Sequence, residues 1–440
     1  MIRHCLATCV LLVVLFPFIQ AQNLTSSPYS RYGIGEVFSS TTTRNAAMGE
    51  IGVATMNYAS VNRINPASYA DVLYTGLDIS GFAQLTELQT NQADEDQFSA
   101  GFQNIGFVFP SNKAPAVSFG FAPFSGVGYE ILDEYEFDFE DTVATGVTSY
   151  TAEGGLNQAY LGIATKFLKS KLSVGANLNY VFGTIRYRWQ SFVVTTDLAN
   201  FQDIRVDRSA FISGVGYQLG FIYADTLMGR KADQKIFSVD DIVLFRIGGV
   251  VEAFSNLNSD RTTSYANLSV IDTIGGVEEG VVVLPPKYSV GASVTKPGKW
   301  EVSGEFSLQD WTRFEYFDDE LDLNSGYRAA LGAEYIPDRT SNSYLKRIAL
   351  RIGGYSGRTY LSINDEPIND NAVTVGFGFP ASRKGTSVFN RERAYSQISL
   401  SASFGRRGSL KNGQPLQENY IRIRLGVNIN ERWFRRVRID

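Results

Sequence analysis

The residues able to do chemistry are few, and the absences narrow the choice first. The one histidine, His4, and both cysteines, Cys5 and Cys9, lie within the first 21 residues. That stretch reads as a targeting segment: Arg3 gives a positive start, Leu11–Ile19 is apolar, and Ile19-Gln20-Ala21 has the pattern of a cleavage site. A lipoprotein reading of Leu6-Ala7-Thr8-Cys9 fails, because the apolar run follows Cys9 instead of preceding it. Once the segment is removed, the chain has no imidazole base, no thiolate, no disulfide and no His or Cys metal site. Carboxylates remain, but no pair is spaced for acid–base work, and neither G-x-S-x-G nor G-x-x-x-x-G-K-[ST] occurs. The expectation is a protein that is not an enzyme and carries no cofactor and no metal.

Three stretches still carry chemical information. Residues 130–141, EILDEYEFDFED, hold seven carboxylates, Glu130, Asp133, Glu134, Glu136, Asp138, Glu140 and Asp141. Oxygen ligands suit Ca²⁺, but the spacing is not that of an EF-hand, so the stretch reads as a solvated acidic loop. Asp94-Glu95-Asp96 and Asp318-Asp319-Glu320 are weaker versions. Arg44 and Glu50 open a small-residue-rich stretch, 44–71, that breaks into turns, and the two charges are placed to pair with each other. Within it, Asn65-Pro66-Ala67 favours a turn, because proline restricts the residue before it.

The elements around these residues are strands. Glycine is high at 41, aromatics reach 13% and charged residues only 19%. No apolar run after residue 21 is long enough for a membrane helix. Leu172–Phe182 shows the pattern most clearly. Leu172, Val174, Ala176, Leu178, Tyr180 and Phe182 share one face, and Ser173, Gly175, Asn177, Asn179 and Val181 the other. Fourteen such segments are expected: 72–83, 98–109, 115–125, 156–168, 171–188, 208–223, 241–255, 286–296, 299–314, 325–336, 345–355, 370–379, 395–405 and 418–430. Short turns fall mostly on the side where the first strand begins, and long loops (84–97, 126–155, 189–207, 256–285, 315–324, 356–369, 406–417) fall on the other. That asymmetry, with strands of about ten residues, belongs to transmembrane barrels. Lipid offers no hydrogen-bond partners, so a membrane sheet must close on itself, apolar outside. Tyr187 with Trp189, Trp300, Trp311 with Phe314, and Trp433 with Phe434 stand where interfacial aromatic girdles are expected.

R-x-A-x-x-G-E followed by N-P-A and then a strand resembles the N-terminal plug of the FadL family of outer-membrane transporters. The matching residues are Arg44, Ala46, Gly49, Glu50, Asn65, Pro66 and Ala67. Pro285-Pro286, Trp311-Thr312-Arg313-Phe314, Gly332-Ala333-Glu334-Tyr335, Arg351-Ile352-Gly353-Gly354-Tyr355 and Val375-Gly376-Phe377-Gly378-Phe379 extend the similarity over most of the chain. The resemblance implies an all-β, antiparallel transmembrane barrel of about 14 strands with an N-terminal plug, in the outer membrane of a Gram-negative, Bacteroidetes-like bacterium. It implies passive uptake of hydrophobic small molecules, of the long-chain fatty acid or aromatic hydrocarbon class. Arg44, Gly49, Glu50, Asn65, Pro66 and Ala67 are the plug and gate residues it marks; ligand-contacting residues do not match one by one, and none is assigned. Apolar loop residues such as Phe137 and Phe139 are candidates for capture. The alternative is a PorV-like, non-transporting partner of a secretion or surface-assembly complex. The expected divisions are 1–21 targeting segment, 22–71 plug, 72–430 barrel and 431–440 basic periplasmic tail. Partners are outer-membrane lipid, a hydrophobic small-molecule ligand and, on the alternative, a secretion-system or surface protein. Without Arg3 the chain carries 39 basic against 45 acidic side chains, a net −6, which does not point to nucleic acid.

Overall fold

The structure, a computed structural model, describes residues 24–56, 58–111, 115–139, 142–194, 203–228, 242–266, 271–317, 323–363, 366–381, 396–411 and 414–431. The expected targeting segment, Trp433-Phe434, all of the basic tail beyond Glu431, Glu140, Asp141 and 318–320 lie outside the described residues.

The strands are β1 (Glu36–Val37), β2 (Thr75–Gln89), β3 (Asp94–Phe109), β4 (Ala116–Phe139), β5 (Thr142–Phe167), β6 (Leu172–Val194), β7 (Ile204–Met228), β8 (Val243–Phe254) and β9 (Leu257–Ala266). They continue with β10 (Ile271–Val283), β11 (Lys287–Lys296), β12 (Trp300–Asp310), β13 (Glu315–Tyr316), β14 (Ser325–Tyr335), β15 (Ala349–Ile363), β16 (Glu366–Pro380), β17 (Gln397–Gly408) and β18 (Gln417–Glu431). Fourteen of them form one closed antiparallel barrel: β2 to β8 in order, then β11, β12 and β14 to β18. Closure is made by β18 on β2, in register from Gln417↔Gln89 to Glu431↔Thr75. Each expected segment is one of these strands.

Alternation explains the closure. On β6, Leu178 and Tyr180 are exposed, whereas Asn177 and Asn179 are buried. On β18, Ile421, Ile423, Leu425 and Val427 face out while Arg424 and Asn428 face in. The wall is thus an inverted protein surface, apolar outside and polar inside, as a sheet in lipid requires.

Two expectations are corrected. The long loops 126–155 and 256–285 are mostly sheet. β4 and β5 continue as one ladder out to Phe139↔Thr142, and β9 and β10 form a hairpin that carries the β7 wall further. A membrane strand needs about 9–11 residues, yet β4, β5, β6 and β7 have 24, 26, 23 and 25. The strands across the ring, β14, β15, β16 and β17, have 11, 15, 15 and 12. The barrel therefore stands tall on one side, at the end away from the start of β2 and the finish of β18. Secondly, Trp311 and Phe314 are no lipid-facing girdle. Both are buried, and Trp311 stacks on Tyr360 with ring centroids 4.2 Å apart.

Candidate functional site: a threaded lumen and an outer vestibule

Residues 24–74 occupy the inside of the barrel and descend from the tall (far) end to the end where β2 begins and β18 finishes (the near end). The sequence supplies this path locally. Thr42 caps a one-turn helix, Thr43–Ala46, by accepting from the Asn45 N–H. Gly49 and Glu50, with φ of 76° and 62°, then turn the chain sharply. Asn65 caps a 3₁₀ turn, Pro66–Asp71, by accepting from the Ala67 N–H at 3.0 Å. Proline fits the first position there because its missing N–H is not needed.

The segment is held by charges on the wall. At the far end Glu36 accepts from Arg407 at 2.9 Å and Arg422 at 3.3 Å. Ser27 donates to Glu418, and the Tyr29 hydroxyl donates to the Leu416 carbonyl at 2.5 Å. Toward the near end, Arg44 lies 2.9 Å from both Glu301 and Glu334, and Arg351 meets Glu334 at 2.7 Å. Glu50 pairs with Arg328 at 2.9 Å and with Arg424. Glu305 accepts the N–H groups of Gly52 and Val53 at 2.8 and 2.9 Å, and Glu301 that of Met56 at 2.9 Å. On the other side of the lumen, Arg63 donates to Gln158 at 3.1 Å, and at the near end Asp71 pairs with Arg246 and with Lys166 at 2.9 Å. Burial alone raises the Glu36 carboxyl; Arg407 and Arg422 outweigh it and hold the group down to about 2. For Glu50, burial is likewise outweighed by Arg328 and Arg424, and its carboxyl sits well below the usual range.

Arg44 and Glu50 therefore do not pair with each other. Each binds the wall, Arg44 to β12 and β14, Glu50 to β14 and β18. The physical reason is the turn at Gly49-Glu50, which sends the two side chains to separate wall charges. Asn65 instead bonds backbone: its amide donates to Val53 O at 2.7 Å and to Phe221 O at 3.1 Å. Pro66 and Ala67 press against Gly175, where a Cβ would lie 2.6 Å from the Ala67 nitrogen. Gly49 donates to Thr374 at 2.9 Å. Of the wall partners, Glu334 and Arg351 stand in motifs that carry the resemblance, without a role assigned to them, and Arg246, Glu301, Glu305, Arg328 and Arg424 were not singled out from sequence. Their signal is a charge on the polar face of an alternating strand, as Arg424 in IRIRLGV.

At the far end the wall is discontinuous. β3 and β4 pair only from Ile105↔Phe121 to Phe109↔Val117. Beyond that the ladder stops, and the N-terminal segment fills the seam from inside. β1 adds to the β4 edge at Gly126 and Ser125. Phe38 N–H donates to Phe124 O at 2.9 Å, and Gln103 to Thr41 O at 3.0 Å. The Ser30 hydroxyl takes both backbone groups of Gly128, donating to its carbonyl at 3.3 Å and accepting its N–H at 3.1 Å. Beside this seam opens a vestibule of about 1200 Å³, floored by Tyr29, Tyr32, Leu88, Tyr129 and Ile131, with Arg31 and Arg208 on its walls. A polar pocket of about 70 Å³ beside Arg44, Glu301 and Glu334 lies at the near end. Among the described residues no His, Cys, Asp and Glu gather as a metal site, and the acidic stretch forms the outer half of β4.

A closed 14-strand antiparallel barrel with an apolar exterior and a polar interior has the architecture of the FadL/TodX-type outer-membrane channels. The toluene transporter TodX of P. putida matches with a TM-score of 0.57 and 13% identity, over 91% of this chain and 100% of that one. A Pseudomonas aeruginosa FadL homologue gives 0.55 and 11%, over 90% and 98%. The Ralstonia pickettii toluene transporter TbuX gives 0.53 and 14%, over 90% and 98%. At these identities the likeness is one of fold. The BamG family model matches residues 1–440, and the chain belongs to the BamG family. No curated protein matches by sequence.

Proposed function

We propose that this barrel sits in the outer membrane, far end outward, and takes up hydrophobic small molecules passively. The observation that carries the reading is the vestibule floored by Tyr29, Tyr32, Leu88, Tyr129 and Ile131 directly beside the break in the β3–β4 ladder. Burying an apolar molecule there supplies the driving force, roughly 25 cal/mol per Å² of apolar area. The lumen segment acts as the plug, Arg44, Gly49, Glu50, Asn65, Pro66 and Ala67 among its anchors. Its buried charge pairs oppose expulsion of the whole plug, since breaking one such pair costs about 3–5 kcal/mol. Gating therefore falls on the seam-filling residues 37–41, beyond the Glu36 pairs, and the molecule leaves sideways into the bilayer.

The test is ligand content. The purified barrel is extracted and its small molecules identified by mass spectrometry, for the parent and for Tyr129→Glu. A stoichiometric apolar compound, lost in the variant, supports uptake. An empty barrel in both refutes it.

The same anchored lumen favours a second reading, a non-transporting partner of a surface or secretion assembly. On that reading the parent barrel is empty and a defined protein co-purifies with it.

A further inference from the structure

The outer half of β4 is a sheet edge without a neighbouring strand. Its partner β5 covers one side out to Phe139, but on the other side the β3 ladder ends at Phe121. Backbone groups alternate along an antiparallel strand. Phe124 O and both groups of Gly128 point to the seam, where Phe38 and Ser30 satisfy them. Continuing that alternation, the backbones of Glu130, Leu132, Glu134 and Glu136 also point to the seam. Among the described residues no strand lies there. The edge already accepts an extended segment a few residues below, because β1 adds to Gly126 and Ser125.

The chemistry of this edge is uniform. The side chains of Glu130, Leu132, Glu134 and Glu136 share one face of β4, and all four are exposed, Leu132 at 59%. Across the seam, the start of β3 contributes Asp94, Glu95 and Asp96, also exposed. Both lips are acidic, with an apolar step between the β4 carboxylates. Arg31, Arg186, Arg188, Arg205 and Arg208 line the vestibule beside the seam, yet among the described residues these six carboxylates form no ion pair. A strand carrying acids would be repelled from both lips.

We infer that the outer edge of β4, Glu130–Glu136, is a strand-addition site for an extended segment of a partner protein that alternates basic with apolar residues. Backbone bonds to the free edge supply the affinity, and the carboxylates beside alternate positions supply the selection. The edge borders the apolar floor, since Glu130, Ile131 and Leu132 also line the vestibule, but it binds through backbone groups and carboxylates and not through apolar area, so it can stand if that reading fails.

The test uses the full mature barrel in detergent micelles and a fluorescent peptide alternating lysine with valine, read by anisotropy at physiological salt. Saturable binding is expected, and none for the same peptide with glutamate in place of lysine. Replacing the three acids together, Glu130→Gln, Glu134→Gln and Glu136→Gln, is expected to weaken binding about ten-fold. These side chains are exposed, and an unchanged heat-dependent gel shift verifies that the variant is folded. A peptide N-methylated at alternate amides keeps its charge but cannot donate to the edge, and it is expected to bind at least as weakly as the parent peptide binds the triple variant. Equal binding of the methylated and parent peptides overturns the inference, as does a triple variant that binds like the parent barrel.

Discussion

Glu50 offers the sharpest test of how the lumen segment is held. Its carboxylate is the shared partner of Arg328 and Arg424, and it is 6% exposed. Glu50→Ala leaves the buried Arg424 without its acid and takes one from Arg328, which also lies over the Tyr355 ring at 3.7 Å. Removing one member of a buried pair costs about 3–5 kcal/mol. The backbone strain at φ 62° is unchanged, because alanine meets the same left-handed conformation as glutamate. The barrel wall has its own ladder, so the cost falls on local opening rather than on global unfolding. At about 1.4 kcal/mol per factor of ten, protection of amides in 44–56 against hydrogen exchange falls by at least roughly a hundredfold. The wall strands β5 to β8, remote from the pair, keep theirs. Exchange read by mass spectrometry on the purified barrel decides it. A fall under about threefold in 44–56, or an equal loss across β5 to β8, refutes the claim that these charges anchor the segment.

Gly332→Ala tests close approach instead of charge, since the new Cβ would overlap the Met48 carbonyl; overpacking costs about 1–3 kcal/mol, visible as faster exchange in 44–50. Ser30→Ala strips both seam-facing groups of Gly128 of their partner and is expected to raise protease nicking near residue 30, whereas Ser26→Ala serves as control. Acid should loosen the far end. Glu36 titrates near 2 when folded and near 4.3 when unfolded. Its stabilisation is thus fully present above about pH 4.5 and is lost as pH falls toward about 2, which pepsin cleavage within 24–42 measures.

The fourteen strands were legible because the cause of alternation is local: each residue in the membrane faces either lipid or lumen. The signal fades where both faces meet water. The EILDEYEFDFED stretch does alternate from Glu134 to Asp138, acids on one face and Tyr135 and Phe137 on the other, but seven carboxylates in twelve residues read as a solvated loop although the stretch out to Phe139 is strand. The β9–β10 hairpin was missed for the same reason. The plug residues were legible as a turn-rich stretch, but their partners were not. Arg44 meets Glu301 and Glu334 some 257 and 290 residues away, and no spacing rule reaches that far. Trp311 was placed in lipid because aromatics often close membrane strands. Its stack on Tyr360 depends on a turn, Trp311–Arg313, that strand periodicity does not describe.

The lumen contacts also impose an order of events. Ser27 meets Glu418, 391 residues later, and Glu50 meets Arg424, 374 residues later. The first described residues are thus fastened to β18, the final strand, which also pairs with β2 to close the ring. Glu50 has no counter-ion there until the ring is complete. A stalled barrel that lacks its last hairpin would leave the N-terminal segment loose and cleavable, so resistance of that segment to protease reports on a finished barrel.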